Sequence, residues 1–168
     1  MKEILNVKNV SVEYDRHGRK VRAVAGVDLT LNSGEILGLV GESGCGKSTL
    51  GKAIVGILSP VTGEVVFDGQ KVKKLTRGKR PKHFRNLQMI FQDPYGSLNP
   101  RRKIGVQIAD GLIVGGMSKK QALAKAADLL EKVGLPRNAV DRYAHQFSGG
   151  QRQRISIARA LAAAPTAI

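Results

Sequence analysis

Gly41-Glu42-Ser43-Gly44-Cys45-Gly46-Lys47-Ser48 fits the pattern G-x-x-x-x-G-K-[ST] at every fixed position. That pattern is built for phosphate. Glycines let the backbone curl until successive N–H groups point at one anion. A helix opening at Lys47 adds its partial positive N-terminus. Lys47 can reach the terminal phosphates, and the hydroxyl of Ser48 can ligate Mg²⁺. The expected binding stretch is therefore Gly41–Thr49, with Gly41, Ser43, Gly44, Cys45, Gly46, Lys47, Ser48 and Thr49 around the phosphates. The motif alone leaves open an ATPase, a GTPase or a kinase of small molecules.

A second stretch repeats the logic. Phe147-Ser148-Gly149-Gly150-Gln151-Arg152-Gln153-Arg154 precedes an amphipathic run from Ile155 to Leu161. Small residues and a hydroxyl at a helix start form another anion-binding geometry. A plain serine N-cap followed by turn glycines reads equally well.

The flanking elements must position these loops. Partial alternation of Ile4, Val7, Val10, Val12 and Tyr14 predicts a strand, and Asp15-Arg16-His17-Gly18 a turn. Val21–Leu31 reads as the returning strand. The apolar run after Gly34, Ile36–Val40, suits a buried strand feeding the phosphate loop. A helix is predicted over Lys47–Leu58 and strands over Thr62–Phe67 and Leu87–Phe91. Asp93–Pro100, with two prolines and a glycine, reads as loop, and Ile104–Val114 as a helix. Ser118 with Gln121 has capping-box spacing. The helix behind it places Leu123, Ala126, Leu130 and Val133 on one stripe, and Gly134 and Pro136 end it.

Composition bounds the rest. The chain has 168 residues, 42% hydrophobic and 24% charged, which is ordinary globular composition. The single cysteine, Cys45, rules out an internal disulfide and points to an intracellular setting. No stretch approaches the ~18 apolar residues of a membrane span, and the N-terminus lacks the apolar core of a secretory signal. The formal charge of +15 is concentrated in Lys71–Arg85 and Arg101–Lys103. It admits nucleic acid, an anionic surface or a plain solvated face.

With both loops and Gln92 in order along the chain, the sequence resembles the ATP-binding-cassette (ABC) ATPases. Gly41–Thr49 matches the family's Walker A motif, Gln92 its glutamine loop and Ser148-Gly149-Gly150-Gln151 its signature motif. The similarity runs from about Ile4 to Ile168. Met89-Ile90-Phe91-Gln92-Asp93-Pro94-Tyr95-Gly96-Ser97-Leu98-Asn99-Pro100 is similar to the ATPase subunits of oligopeptide, dipeptide and nickel importers. Ala144 stands where a proline is usual in that subgroup.

The resemblance implies an α/β fold of the P-loop NTPase type with an antiparallel β subdomain and a helical subdomain. The expected division is a β-rich core with the phosphate loop to about residue 92, a helical subdomain at 93–150, and a signature helix at 151–168 returning to the core. The implied cofactors are ATP and Mg²⁺. Tyr14 would stack on adenine; Ser48 and Gln92 would serve the metal, and Gln92 the attacking water. Ser148, Gly149, Gly150 and Gln151 would act in trans, on ATP held by a second ABC ATPase subunit packed head to tail, either the same chain or a sibling. Membrane permeases would dock near residues 93–116, and an extracytoplasmic solute-binding protein would deliver solute. The protein would lie peripherally on the cytoplasmic face of the membrane, with no nucleic acid expected.

One departure qualifies this. No Asp or Glu follows Asp141, so the family's Asp-Glu strand and later switch histidine find no match. That strand would lie beside the one leading to Gly41. The sequence is therefore expected to be a truncated cassette with the C-terminal part of its core missing and little hydrolysis of its own. Two alternatives remain: a soluble cassette ATPase acting on nucleic acid or ribosomes, and a nucleotide-binding remnant without turnover.

Overall fold

The computed structural model describes residues 2–16, 18–75 and 82–168. His17 of the first predicted turn and residues 76–81 of the basic run lie outside the described residues. The chain is α/β and divides into two units, Met1–Leu87 and Gln88–Ile168.

The first unit is built on an antiparallel sheet of order β2-β1-β3-β4. Its strands are β1 (Glu3–Arg16), β2 (Arg19–Asn32), β3 (Thr62–Phe67) and β4 (Gln70–Lys71). Alternation in β1 is only partial because the strand changes phase midway. Leu5 and Val7 pair with Leu31 and Leu29, whereas Val10 and Val12 pair with Val27 and Val24, with register shifts between the two sets. Asn9 sits at the shift with φ 47°, a conformation that asparagine tolerates better than most residues. The bulge keeps Val7, Val10 and Val12 all buried. The short hairpin to β4 turns through Asp68-Gly69, both at positive φ.

Helix α1 (Lys47–Ile54) follows the phosphate loop and buries Leu50 and Ala53. It is shorter than the predicted Lys47–Leu58. Gly56, at φ 79°, donates to the carbonyl of Ala53, and Ile57 donates to that of Lys52. This pair of bonds closes the helix as a Schellman motif.

Two predicted strands are corrected. Ile36–Val40 joins no ladder among the described residues, and Ile36 and Val40 are 97% and 94% exposed. An apolar run becomes a buried strand only when neighbours hydrogen-bond to it, and residue type cannot supply those neighbours. Leu87–Phe91 likewise lies outside the sheet. The Gln88 amide donates instead to the Ala167 carbonyl at 2.9 Å.

The second unit is helical. It comprises α2 (Pro94–Ser97), α3 (Ile104–Val114), α4 (Lys119–Lys132) and α5 (Gly149–Leu161). Asp93–Pro100 is therefore not all loop. Asp93 caps α2 by accepting from the amides of Tyr95 and Gly96, and Pro94 takes the first turn, where its missing N–H costs nothing. The capping box of Ser118 and Gln121 forms as predicted, and Gly134 at φ 74° ends α4. The buried stripe of α4 runs through Ala122, Ala126, Leu129 and Leu130, with Leu123 and Val133 only partly covered. The predicted stripe was thus rotated toward the rim, because two of its larger side chains flank the seam rather than fill it. Ile104, Ile108, Leu130 and Ile155 are fully buried at the centre of this unit.

Candidate nucleotide site

The loop between Gly41 and Gly46 is exposed, and α1 begins directly behind it. Gly46 is the N-cap residue, at φ 100°, and no side chain caps the helix. The first amides of α1 therefore lack the side-chain acceptor that most helices provide. A helix N-terminus left in this condition, behind a glycine-rich loop, fits a phosphate anion.

Lys47 reaches back over the loop. Its ammonium donates to the carbonyls of Gly41 and Glu42 at 2.6 Å each and lies 3.3 Å from Cys45 Sγ. Cys45 is exposed, and its amide donates to the Glu42 carbonyl at 3.3 Å. Of the predicted loop residues, Gly41 and Cys45 thus lie against the Lys47 cation. Gly46 packs so closely on β2 that a Cβ there would fall 2.2 Å from the Ala23 carbonyl oxygen. The loop is anchored to the sheet at that contact.

Tyr14, half-buried near the end of β1, stands on the same unit. Its hydroxyl and that of Thr49 share a hydrogen bond of 3.2 Å. The predicted base-stacking aromatic is therefore tied to the first turn of α1.

Gln92 and Ser148–Gln151 belong to the second unit. Gln92 is exposed, immediately before the Asp93 cap. Ser148 caps α5: its Oγ accepts from the Gln151 amide at 3.3 Å, and Gln151 Oε1 accepts from the Ser148 amide at 3.0 Å. The serine cap and the anion-binding reading are compatible, since Ser148 Oγ accepts in the cap and keeps its own proton to donate. Tyr95 leans over this start. A Cβ on Gly149 would lie 4.0 Å from the Tyr95 hydroxyl, and the Arg152 guanidinium sits 4.1 Å from the centre of the Tyr95 ring.

Sequence reasoning missed the ties that hold the segment after Gln92. Ser97 Oγ and Ser156 Oγ share a hydrogen bond of 2.9 Å, and Arg159 donates to the Ser97 carbonyl. Gln107, buried in α3, accepts from the Asn99 amide and donates to the carbonyls of Asn99 and Arg102. The Asp-Pro pair at 93–94 was a legible helix-start signal. The contacts across 60 residues of sequence carried no local signal. Among the described residues, no cluster of three or more His, Cys, Asp or Glu forms a metal cage.

The family profile described as ABC transporter matches residues 24–168. The chain belongs to the ABC transporter family. It is 48% identical over 168 residues to the oligopeptide transport ATP-binding protein OppF of Streptococcus mutans, covering 98% of this chain and 54% of that protein. Identity to OppF of Bacillus subtilis is 45%, over 97% of this chain and 54% of that protein. Identity to the glutathione import ATP-binding protein GsiA of Escherichia coli O157:H7 is 47%, over 98% and 28% respectively. The chain thus spans about half the length, or less, of these curated relatives. Among solved structures, the ATP-binding cassette MJ0796, dimeric and bound to ADP and Pi in a post-hydrolysis state, superposes with a TM-score of 0.86. That match is 31% identical and covers 96% of this chain and 71% of the other.

Proposed function

We propose that this chain is the ATP-binding part of an importer ATPase that couples ATP binding and hydrolysis to uptake of peptides. The observation that carries the reading is the uncapped N-terminus of α1 behind a glycine loop, with Lys47 held over it. The peptide and glutathione importers among its relatives support the solute class. In this reading the loop amides and Lys47 hold the phosphates, Ser48 and Gln92 serve Mg²⁺, and Tyr14 meets the base. The dimeric state of MJ0796 supports a second cassette, in which Ser148–Gln151 of one chain face ATP on the other. Permeases would dock on the second unit, holding the protein at the cytoplasmic face of the membrane. Among the described residues, no helix is long and apolar enough to cross a membrane. The relatives named here give no support to the nucleic-acid reading raised by the charge.

The test is equilibrium binding of Mg-ATP to the unaltered chain and to Lys47→Ala. A hydrogen bond to a charged group contributes about 1.5–3 kcal/mol, so affinity should fall roughly 10- to 100-fold. Equal affinity in the two proteins refutes the assignment.

A further inference from the structure

Helix α3 stops where its sequence turns to glycine. The Met117 amide donates to the Leu112 carbonyl at 3.1 Å and the Gly116 amide to the Ile113 carbonyl at 2.9 Å, with Gly116 at φ 104°. These two bonds make a Schellman closure, which fixes the corner between α3 and α4. Leu112 and Met117 pack against the core of the second unit. Ile113 and Val114 instead remain 40% and 61% exposed. From Ile113 to Gln121 every residue except Met117 is exposed.

Charge around this corner is of one sign. Lys119 and Lys120 open α4, and no Asp or Glu occurs between Asp110 and Asp128. Both of those acids are already engaged, Asp110 with Arg102 and Asp128 with Arg137, each at 2.7 Å. Lysines in the first turn of a helix oppose its dipole, so their placement does not serve α4 itself. The corner thus joins two exposed β-branched side chains to two cations that face no carboxylate of their own segment.

Composition selects the kind of partner. Protein interfaces favour Tyr, Trp and Arg and are poor in Lys. The stretch from Gly111 to Ala127 contains no aromatic residue and no arginine. Nucleic acid would engage the lysines and leave Ile113 and Val114 in water. A bilayer surface with anionic headgroups engages both, because lysine ammoniums meet the phosphates while apolar side chains enter the acyl boundary. The formal charge of +15 adds attraction of the same sign. We propose that the α3–α4 corner, Ile113–Lys120, contacts an anionic lipid surface directly. The contact is weak and salt-sensitive, since two lysines and two apolar side chains fall short of a stable anchor. It does not rest on the nucleotide site, so a failure of ATP binding leaves it standing.

The experiment is co-sedimentation of the full-length protein with phosphatidylcholine vesicles containing about one-third phosphatidylglycerol, at about 0.1 M salt. A lysine near such a surface contributes about fivefold to partitioning. Lys119→Gln with Lys120→Gln should therefore weaken binding roughly 20-fold. Ile113→Ser with Val114→Ser should weaken it by about fivefold or more. Lys73→Gln with Lys74→Gln, an equal loss of charge at exposed positions of the first unit, should stay within about twofold. Should the apolar double variant unfold, Val114→Ser alone should still weaken binding about twofold or more. The proposal is overturned if vesicles of phosphatidylcholine alone bind as well, or if the Lys119 and Lys120 variant binds like the unaltered protein. Equal loss in the Lys73 and Lys74 variant also overturns it, because net charge alone then drives adsorption. So does unchanged vesicle binding in Val114→Ser. Loss of a membrane permease from purified Ile113→Ser with Val114→Ser, while vesicle binding stays unchanged, assigns the corner to a protein partner instead.

Discussion

Replacing Gly46 with alanine separates two demands on the phosphate loop. The first is conformational: φ is 100° at Gly46, and an L-residue at positive φ costs about 1–2 kcal/mol. The second is steric. The new Cβ would fall 2.2 Å from the Ala23 carbonyl oxygen and 3.3 Å from Val24 Cγ2. Backbone cannot swing aside like a side-chain tip, so the loop must lift off β2, at a further cost of about 1–3 kcal/mol. The combined cost of about 3 kcal/mol corresponds to roughly 6–12 °C in Tm. Two sister variants isolate the parts. Gly44 has φ 84° but open space around it, so Gly44→Ala carries the conformational cost alone, about 1–2 kcal/mol. At Gly41 a Cβ would press on the Cys45 thiol at 2.7 Å, the end of an exposed side chain, with its next neighbours at 4.0 Å. Gly41→Ala should stay within about 0.5 kcal/mol. Scanning calorimetry with strand circular dichroism measures the series. The expected order of destabilisation is Gly46, then Gly44, then Gly41. A Gly46→Ala melt within about 2 °C of the unaltered chain, or a Gly41→Ala melt lower than that of Gly46→Ala, refutes the reasoning.

Three further outcomes concern the helical unit. Within α3, Gly105→Ala should cost about 1–3 kcal/mol, because its Cβ would press on Val140 at 2.7 Å, whereas Gly111→Ala meets only ordinary contacts from 3.5 Å and should stabilise by roughly 0.5–1 kcal/mol. Urea titrations followed by helical circular dichroism give both signs. Ser118→Ala should cost about 1 kcal/mol through loss of its capping box, and reinstating Asp there should recover most of it in the same assay.

The features visible in the sequence were those whose cause is local. The loop glycines, the caps at Ser118 and Ser148, and the stop at Gly134 each follow from neighbouring residues. Ile36–Val40 failed because strand identity depends on a ladder partner, which the run itself cannot specify. The phase change at Asn9 was invisible because the valines on either side satisfy alternation separately. At the site, Lys47 and Ser148 were legible from their motifs, and Arg159 was not. It looks like one more basic residue on an amphipathic helix, and its meaning comes from a carbonyl 62 residues away in sequence.

The contacts of Lys47 within its own loop bear on what the loop would accept in the proposed reading. Its ammonium already engages two carbonyls and a sulfur of the loop it guards. An arriving anion must compete with those groups, so the fold carries its own competitor. A weakly charged ion has little to offer in that exchange. A polyphosphate, which can engage the amides of α1 at the same moment, has much more. In the proposed reading, the loop would therefore favour polyphosphates over weakly charged anions.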